Sequence, residues 1–453
     1  MLKRTSTRLS TLAALTALAT TAAPTALHAQ TDEAARVKFS GFGTLGVVHT
    51  QGDGAAFVRD MGQFHGATNR GLFWETDTRL GIQSAYAATE TLDIVTQVIS
   101  RYNADNNFDP EVSLGFVRYA PNPSVKLRLG RVGYDIFHAA DSREVGYSYL
   151  WVRPPLEYYG AMSTQYIDGG DVTFQLPIGN NVARLKLYSG LARNRVPNLY
   201  GQNRWSGNIS ADLGVMQDLA GTRFTGGLID FDAANWMLRL SRSNMRILKE
   251  IPPGPIDTLA LLRNTAQGQS DAALANGLYR LADDIAFAGK KLTFDSVGVI
   301  YDKGSLRTDL AVYHLKSTSL MFGELWAGYW TLGYRFDKLT PFVNIAAVRS
   351  KNPNRTAELH GRGVDAAVGV ADFMLTRADQ HRQAISLGLR YDWKTDVALK
   401  FQVDAIRNKT CSPVSLPLVG GAAPCSPPLL LPSVPVGWNG RSNVFSATLD
   451  FIF

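Results

Sequence analysis

Between Val37 and Phe453 apolar and polar residues alternate with period two in sixteen separate stretches, and no other feature limits the possible folds so strongly. In the first stretch Val37, Phe39, Leu45 and Val47 share one face, and Lys38, Ser40, Thr44 and Gly46 share the other. A repeat of two is that of a β-strand, whose side chains point alternately to opposite faces of the sheet. The rhythm returns at 74–85, 92–101, 112–120, 125–131, 164–177, 181–192, 222–231 and 235–246. It continues at 290–302, 305–317, 323–337, 340–350, 382–392, 396–407 and 443–453.

The connections between these stretches also alternate. Short turns fall at 86–91, 121–124, 178–180, 232–234, 303–304, 338–339 and 393–395, with turn sequences such as Pro121-Asn122-Pro123-Ser124. Between them lie the connections 49–72, 102–110, 132–163, 193–221, 247–289, 318–322, 351–381 and 408–442, most of them long. A soluble sandwich has no reason to gather its long loops at one end. A barrel crossing a membrane does, because its turns are short on one side and long on the other.

The faces suit that solvent. In hydrocarbon each backbone N–H and C=O must be paired within the protein, so strands can cross only as a closed barrel. Trp326, Trp330, Leu332, Tyr334 and Phe336 share one face, opposite Tyr329, Thr331 and Arg335. The last stretch turns Phe445, Ala447, Leu449, Phe451 and Phe453 one way and Val444, Ser446, Thr448, Asp450 and Ile452 the other. The expected fold is therefore all-β, a transmembrane antiparallel barrel of sixteen strands with short periplasmic turns and long external loops.

Composition removes the competing classes. With 19% charged residues, 10% aromatics and 41 glycines, the chain is neither disordered nor a disulfide scaffold. Two cysteines and seven scattered histidines supply no metal-ligand spacing, so no metal or cofactor is expected. Residues 1–29 read as a signal peptide: basic Lys3, Arg4 and Arg8, an apolar core from Leu9 to Leu18, and Ala26-Leu27-His28-Ala29 as the cleavage site. Its removal takes the formal charge from +7 to +4, too weak an excess to argue for nucleic acid as a partner. The expected organisation is a leader at 1–29 and one barrel over 30–453.

A leader, sixteen alternating strands and the terminal Phe451-Ile452-Phe453 together resemble the general porins of the Gram-negative outer membrane. Two internal stretches are similar as well: Arg79-Leu80-Gly81-Ile82, and Leu129-Gly130-Arg131 followed by Gly133, Tyr134 and Asp135. The resemblance implies a homotrimer in outer-membrane lipid, open to small hydrophilic solutes and ions. It also implies that Phe453 is the address read by the barrel assembly machinery.

It further implies that loop 132–163 folds into the barrel, its acids facing basic residues on the wall. That makes Asp135, Asp141 and Glu144 candidates on the loop, which also holds Glu157, Arg143 and Arg153. On the wall the candidates are Arg79, Lys126, Arg128 and Arg131. Arg131 is out of phase with Lys126 and Arg128 and reaches the lumen only if the strand bulges or ends near Gly130. Two departures stand out: the Pro-Glu-Phe-Gly-Gly motif common in that loop is absent, and Phe42 and Ile167 occupy places where further basic wall residues are expected.

Other signals carry less. Gly41-Phe42-Gly43-Thr44-Leu45-Gly46 spells a dinucleotide fingerprint, but alternation runs through it where such a motif needs a helix, so the glycines read as close-packing positions. From Thr410 to Gly440 no residue is charged, yet seven prolines forbid a membrane helix. Export to an oxidising compartment favours a Cys411–Cys425 disulfide over two free thiols, constraining that loop by roughly 3 kcal/mol. Leu259, Leu262, Ala266, Ala273, Leu278 and Leu281 predict a partly helical loop within 247–289. His138, Asp141 and Ser142 lie close in sequence, but adjacency is not triad geometry, and no enzyme is expected. The function expected is passive diffusion. A channel selective for a sugar, phosphate or carboxylate, with Tyr147, Tyr149, Trp151, Tyr158 and Tyr159 as a binding track, is an alternative, as is a receptor or adhesin barrel.

Overall fold

The alternation closes into a single barrel. A computed structural model describes residues 36–453 apart from 52–55, 61, 64–65, 138–141, 161–163, 194, 198–215, 219–220, 251–257, 352–355, 379, 409–414, 417–420 and 423–439. The proposed leader, His138, Asp141, Cys411 and Cys425 lie outside the described residues. The barrel strands are β1 (Val37–Gln51), β2 (Arg79–Ala87), β3 (Leu92–Arg101), β4 (Glu111–Asn122), β5 (Val125–Gly133), β6 (Tyr166–Ile178), β7 (Asn181–Leu191) and β8 (Arg223–Ala233). They continue as β9 (Trp236–Arg246), β10 (Lys291–Lys303), β11 (Leu306–Ser317), β12 (Glu324–Tyr334), β13 (Leu339–Lys351), β14 (His381–Lys394), β15 (Val397–Asn408) and β16 (Arg441–Ile452). Each pairs antiparallel with its sequence neighbour, and β16 pairs back onto β1, leaving no free edge. At the seam Gly41 N donates to Phe453 O at 2.8 Å, and Phe453 N donates to Gly41 O at 3.0 Å.

Exposure follows the sequence phase. Phe39, Leu45 and Leu129 are 75%, 54% and 72% exposed on the outer face, whereas Thr44, Lys400 and Asp450 on the inner face are fully buried. Those charged inner residues are covered by protein, so the lumen holds a second core. Among the described residues no helix is long and apolar enough to cross a membrane.

One strand starts later than expected. Residues 74–78 leave the sheet because pairing of β1 with β2 stops at Thr44↔Arg79. Beyond it Thr78 Oγ1 accepts from Gly46 N at 3.1 Å, and Asp77 packs against the bare Cα of Gly46 and turns inward.

The glycines of the first strand have a packing role. On the outer face the rings of Phe453 and Phe451 lie over Gly41 and Gly43, where an added Cβ would meet ring carbons at 2.2 and 2.3 Å. The two rings stack on each other with centroids 6.3 Å apart. Aromatic residues can therefore seal the closing seam only where the partner strand has no side chains.

Beyond the strand ends, three helices pack together: α2 (Thr258–Gln267), α3 (Ala272–Ile285) and α4 (Asp365–Ala378), numbered after a short α1 (Leu156–Tyr159). Asp271 caps α3 by accepting from Ala273 N at 2.8 Å, leaving Ala273 exposed and burying Leu274 instead. Leu262 and Leu278 belong to one apolar core that also takes in the side chains of loop 132–163.

Gly43→Val should overpack the seam at a cost of about 1–3 kcal/mol. The expected outcome is a lower urea midpoint for the heat-modifiable folded band in detergent, partly restored by adding Phe451→Ala.

Candidate constriction site

Loop 132–163 continues from the end of β5, in which Gly130 adopts φ 131°, a backbone that only glycine takes readily. Tyr134 N still donates to Gln165 O at 2.9 Å, so the loop enters the lumen as an extension of β5 and β6. Its first acid is secured at once. Lys186 Nζ donates to Asp135 at 2.6 Å and Arg239 Nη1 at 2.7 Å, while Ser241 Oγ donates to Ile136 O at 2.8 Å. Burial alone would raise the Asp135 pKa, but Arg239 and Lys186 hold it well below the usual carboxylate range.

The middle of the loop meets the opposite wall. Arg101 Nη1 donates to Glu144 at 2.7 Å, and Arg79 Nε donates to the Glu144 carbonyl at 2.6 Å. Burial pushes the Glu144 carboxyl up, but Arg101, Arg59 and Arg79 outweigh it and lower its pKa to about 2. Arg79 Nη2 also donates to the Tyr149 hydroxyl at 2.8 Å, and burial pushes that phenol up to about 12 against the pull of Arg79. Lys400 Nζ donates to Gly146 O at 2.5 Å. Only glycine fits at 146, since a Cβ there would lie 2.0 Å from Asp450 Oδ1.

The last part of the loop is fixed by buried charge. Arg153 donates to Asp77 at 2.6 Å, to Asp404 at 3.1 Å and to Ser446 Oγ at 2.5 Å, with its guanidinium 4.9 Å from the Phe57 ring centroid. Arg382 donates to Glu157 at 2.7 Å. Trp151 Nε1 donates to Thr331 Oγ1 at 2.9 Å, and the Tyr158 hydroxyl bonds Ser296 Oγ at 2.7 Å. Phe137 stands 5.0 Å from Tyr158 and 5.1 Å from Phe294 between ring centroids, inside the favourable range for aromatic pairs. Beside Arg153 and Glu157 the free volume is about 20 Å³, room for about a single water.

Of the residues singled out by sequence, the structure brings Arg79 and Glu144 together and sets Asp135 against Lys186 and Arg239, which sequence reasoning missed. Arg128 faces the lumen but is bound by Asp171 at 2.7 Å, away from the loop acids. Lys126 is exposed near a short turn. Arg131 is the correction: the register pairs it with Gly115 and Asp168, in phase with outward Leu129 and Val117, so it points away from the lumen. The strand stays in phase through Gly130, and Arg131 binds Asp168 at 2.7 Å and Val112 O at 2.8 Å. Phe42 and Ile167 are buried, and wall cations come instead from Arg101, Arg382 and Lys400. The missed wall residues lie on the inner phase of their strands, a signal already present in the alternation. Tyr149, Trp151, Tyr158 and Tyr159 are buried against the wall and form no open track.

No protein-family model matches the chain, and no curated protein matches it. Among solved structures it is similar to Salmonella typhi OmpF in complex with daunomycin, at 11% identity over 92% of this chain and 97% of that one, TM-score 0.50. It is also similar to outer-membrane-expressed OmpT of Vibrio cholerae, at 12% identity over 94% and 100%, TM-score 0.49. A third is an anion-selective porin from Comamonas acidovorans, at 12% identity over 92% and 99%, TM-score 0.48.

Removing one partner of a buried pair leaves an uncompensated charge, so Arg153→Met should destabilise the packed loop by about 3–5 kcal/mol, against about 1 kcal/mol for Tyr158→Phe. Loss of near-UV circular dichroism in detergent measures both. Because the Glu144 pKa is lowered from 4.5 to about 2, its contribution is complete above pH 4.5 and fades as pH falls towards 2. The same signal should stay flat from pH 7 to 5 and decline below that.

Proposed function

We propose that this chain, which has the fold of the sixteen-stranded outer-membrane porins, is a channel of the Gram-negative outer membrane passing small hydrophilic solutes and ions without chemistry. In this reading residues 1–29 are cleaved on export, Phe453 addresses the barrel assembly machinery, and three copies assemble in outer-membrane lipid. No cofactor, enzymatic step or nucleic-acid partner is invoked. The general-porin resemblance of the sequence supports the trimer, as does the uncharged outer face of β1–β4, where Phe39, Ile82, Ile94 and Val117 stand exposed.

The observation that carries the reading is a lumen entered by one loop whose Asp135, Glu144 and Glu157 end on inward basic residues of the wall. In a wide pore, acids on the loop and bases on the wall face each other across water and set a transverse field. Here they meet in hydrogen-bond contact, Asp135 on Arg239 and Glu157 on Arg382, so opposite charges are neutralised pairwise. The passage is therefore narrow, selecting chiefly by size.

Planar-bilayer recording tests this. The full mature chain should give small, ohmic, non-saturating steps, and deletion of residues 146–159 should raise the step several-fold. Equal conductance in the two proteins would overturn the proposal, as would no conductance in either.

A further inference from the structure

The inner face of β2, β3 and β4 is sorted by row. At the long-loop end Arg101 donates to Glu111 at 2.9 Å and to Glu144 at 2.7 Å. At the short-turn end Arg118 pairs with Asp93 at 2.8 Å, and on the next strands Arg128 pairs with Asp171 at 2.7 Å. Between these two ion-paired belts the inward residues of the three strands carry no charge. Register sets Gln83 opposite Gln97 and Gln97 opposite Leu114; in the next row Ala85 stands opposite Val95, and Val95 opposite Phe116. The inserted loop leaves the first of these rows uncovered. Its bonds to β2 and β3 go to Arg79 and Arg101, and among the described residues its other side-chain bonds to strands lie on β7 and between β9 and β16. Gln83, Gln97 and Leu114 therefore stay half-buried.

The uncharged row is built on a bulge. β3 and β4 shift register between Gln97 and Val98, so Ser113 is an extra residue in β4. Bulges serve to re-aim a side chain. Here the Ser113 hydroxyl donates to Gln97 Oε1 at 2.8 Å, and Gln97 Nε2 donates to Gln83 Oε1 at 3.2 Å. From the outer face Arg131 donates to Val112 O at 2.8 Å and pins the bulged backbone. The relay runs one way, with each amide oxygen accepting, and it ends on the Gln83 amide nitrogen. Among the described residues that nitrogen has no partner, so its N–H groups remain as donors at the end of a chain whose bonds strengthen one another.

We propose that the row of Gln83, Gln97 and Leu114 is a weak binding subsite for neutral polyhydroxylated solutes, a solute oxygen accepting from Gln83 Nε2 while the C–H face of the solute lies on Leu114. The inference rests on the channel reading above and names its substrate class. An ion entering the row sheds water and finds no free charge in return, because the residues of both belts are already paired. A neutral polyol gives up hydrogen bonds to water that the amides replace. Lys126, which makes no ion pair among the described residues, stands beyond the lower belt, by the short turn.

The test uses the full mature chain in planar bilayers at fixed ionic strength, with D-ribose and D-ribonate as probes, since the two share a carbon skeleton and differ in charge. Each is read as the fraction of the additive-free current that it blocks. Ribose should block saturably, and ribonate on the order of tenfold more weakly, for want of a free cation in the row. Gln83→Met, which keeps the side-chain length and removes the donor, should raise the ribose concentration for half-block about fivefold, the worth of one neutral hydrogen bond. The absence of saturable block by ribose overturns the subsite, ribonate acting as strongly as ribose overturns its preference for neutral solutes, and an unchanged half-block in the variant overturns the role of Gln83. Should Gln83→Met not fold, Ser113→Ala takes its place, because it unties the relay at the other end; an unchanged half-block there overturns the proposal. Failure of the channel reading would show differently, as a wild type without current before any solute is added.

Discussion

The structure depends on the pairing of backbone N–H and C=O groups where no water can take their place. Each such group left open in hydrocarbon costs several kcal/mol, so the first strand must find the last. The bond pair between Gly41 and Phe453 completes the circuit, and Gly41 and Gly43 leave room for the aromatic rings that cover it. Once the sheet is closed, every inward position faces a bounded space, and every outward one faces away from it.

That bounded space holds buried ion pairs beside an apolar cluster. Such pairs add little net stability, because desolvating two charges offsets most of their attraction, yet losing one partner is costly. Their effect is therefore positional. Arg153 suits Asp77, Asp404 and Ser446 together only at one depth in the barrel, and Asp135 is held by two strands at once. The aromatic cluster of Phe137, Tyr158 and Phe294 supplies the apolar burial that the ion pairs lack.

The outer surface follows the opposite rule. Its unpaired charge gathers towards the long-loop rim of β8 to β13, where snorkelling side chains reach past the hydrocarbon. Asp295 and Glu324, the acids of that rim on β10 and β12, are each held by a basic partner on a neighbouring strand, Arg242 and His314. The same sheet thus pairs its charges tightly inside and leaves an excess of positive charge outside.

Strand number, strand phase and the alternation of loop length were legible in the sequence, because two different solvents act on each strand locally and write a period of two into successive residues. The start of β2 was less legible, since Asp77 leaves the sheet for a partner 76 residues away. Which charges meet was not legible at all: Arg153 and Asp404 are separated by 251 residues, and their contact depends on the loop path together with the stagger of the intervening strands. The side taken by Arg131 was decided by a register that persists through Gly130. Sequence by itself determined a closed sixteen-stranded barrel with a polar inside. Only the tertiary structure decided that its inward loop lies in direct contact with the wall, because contacts across a lumen belong to the whole closed sheet and to no local run of residues.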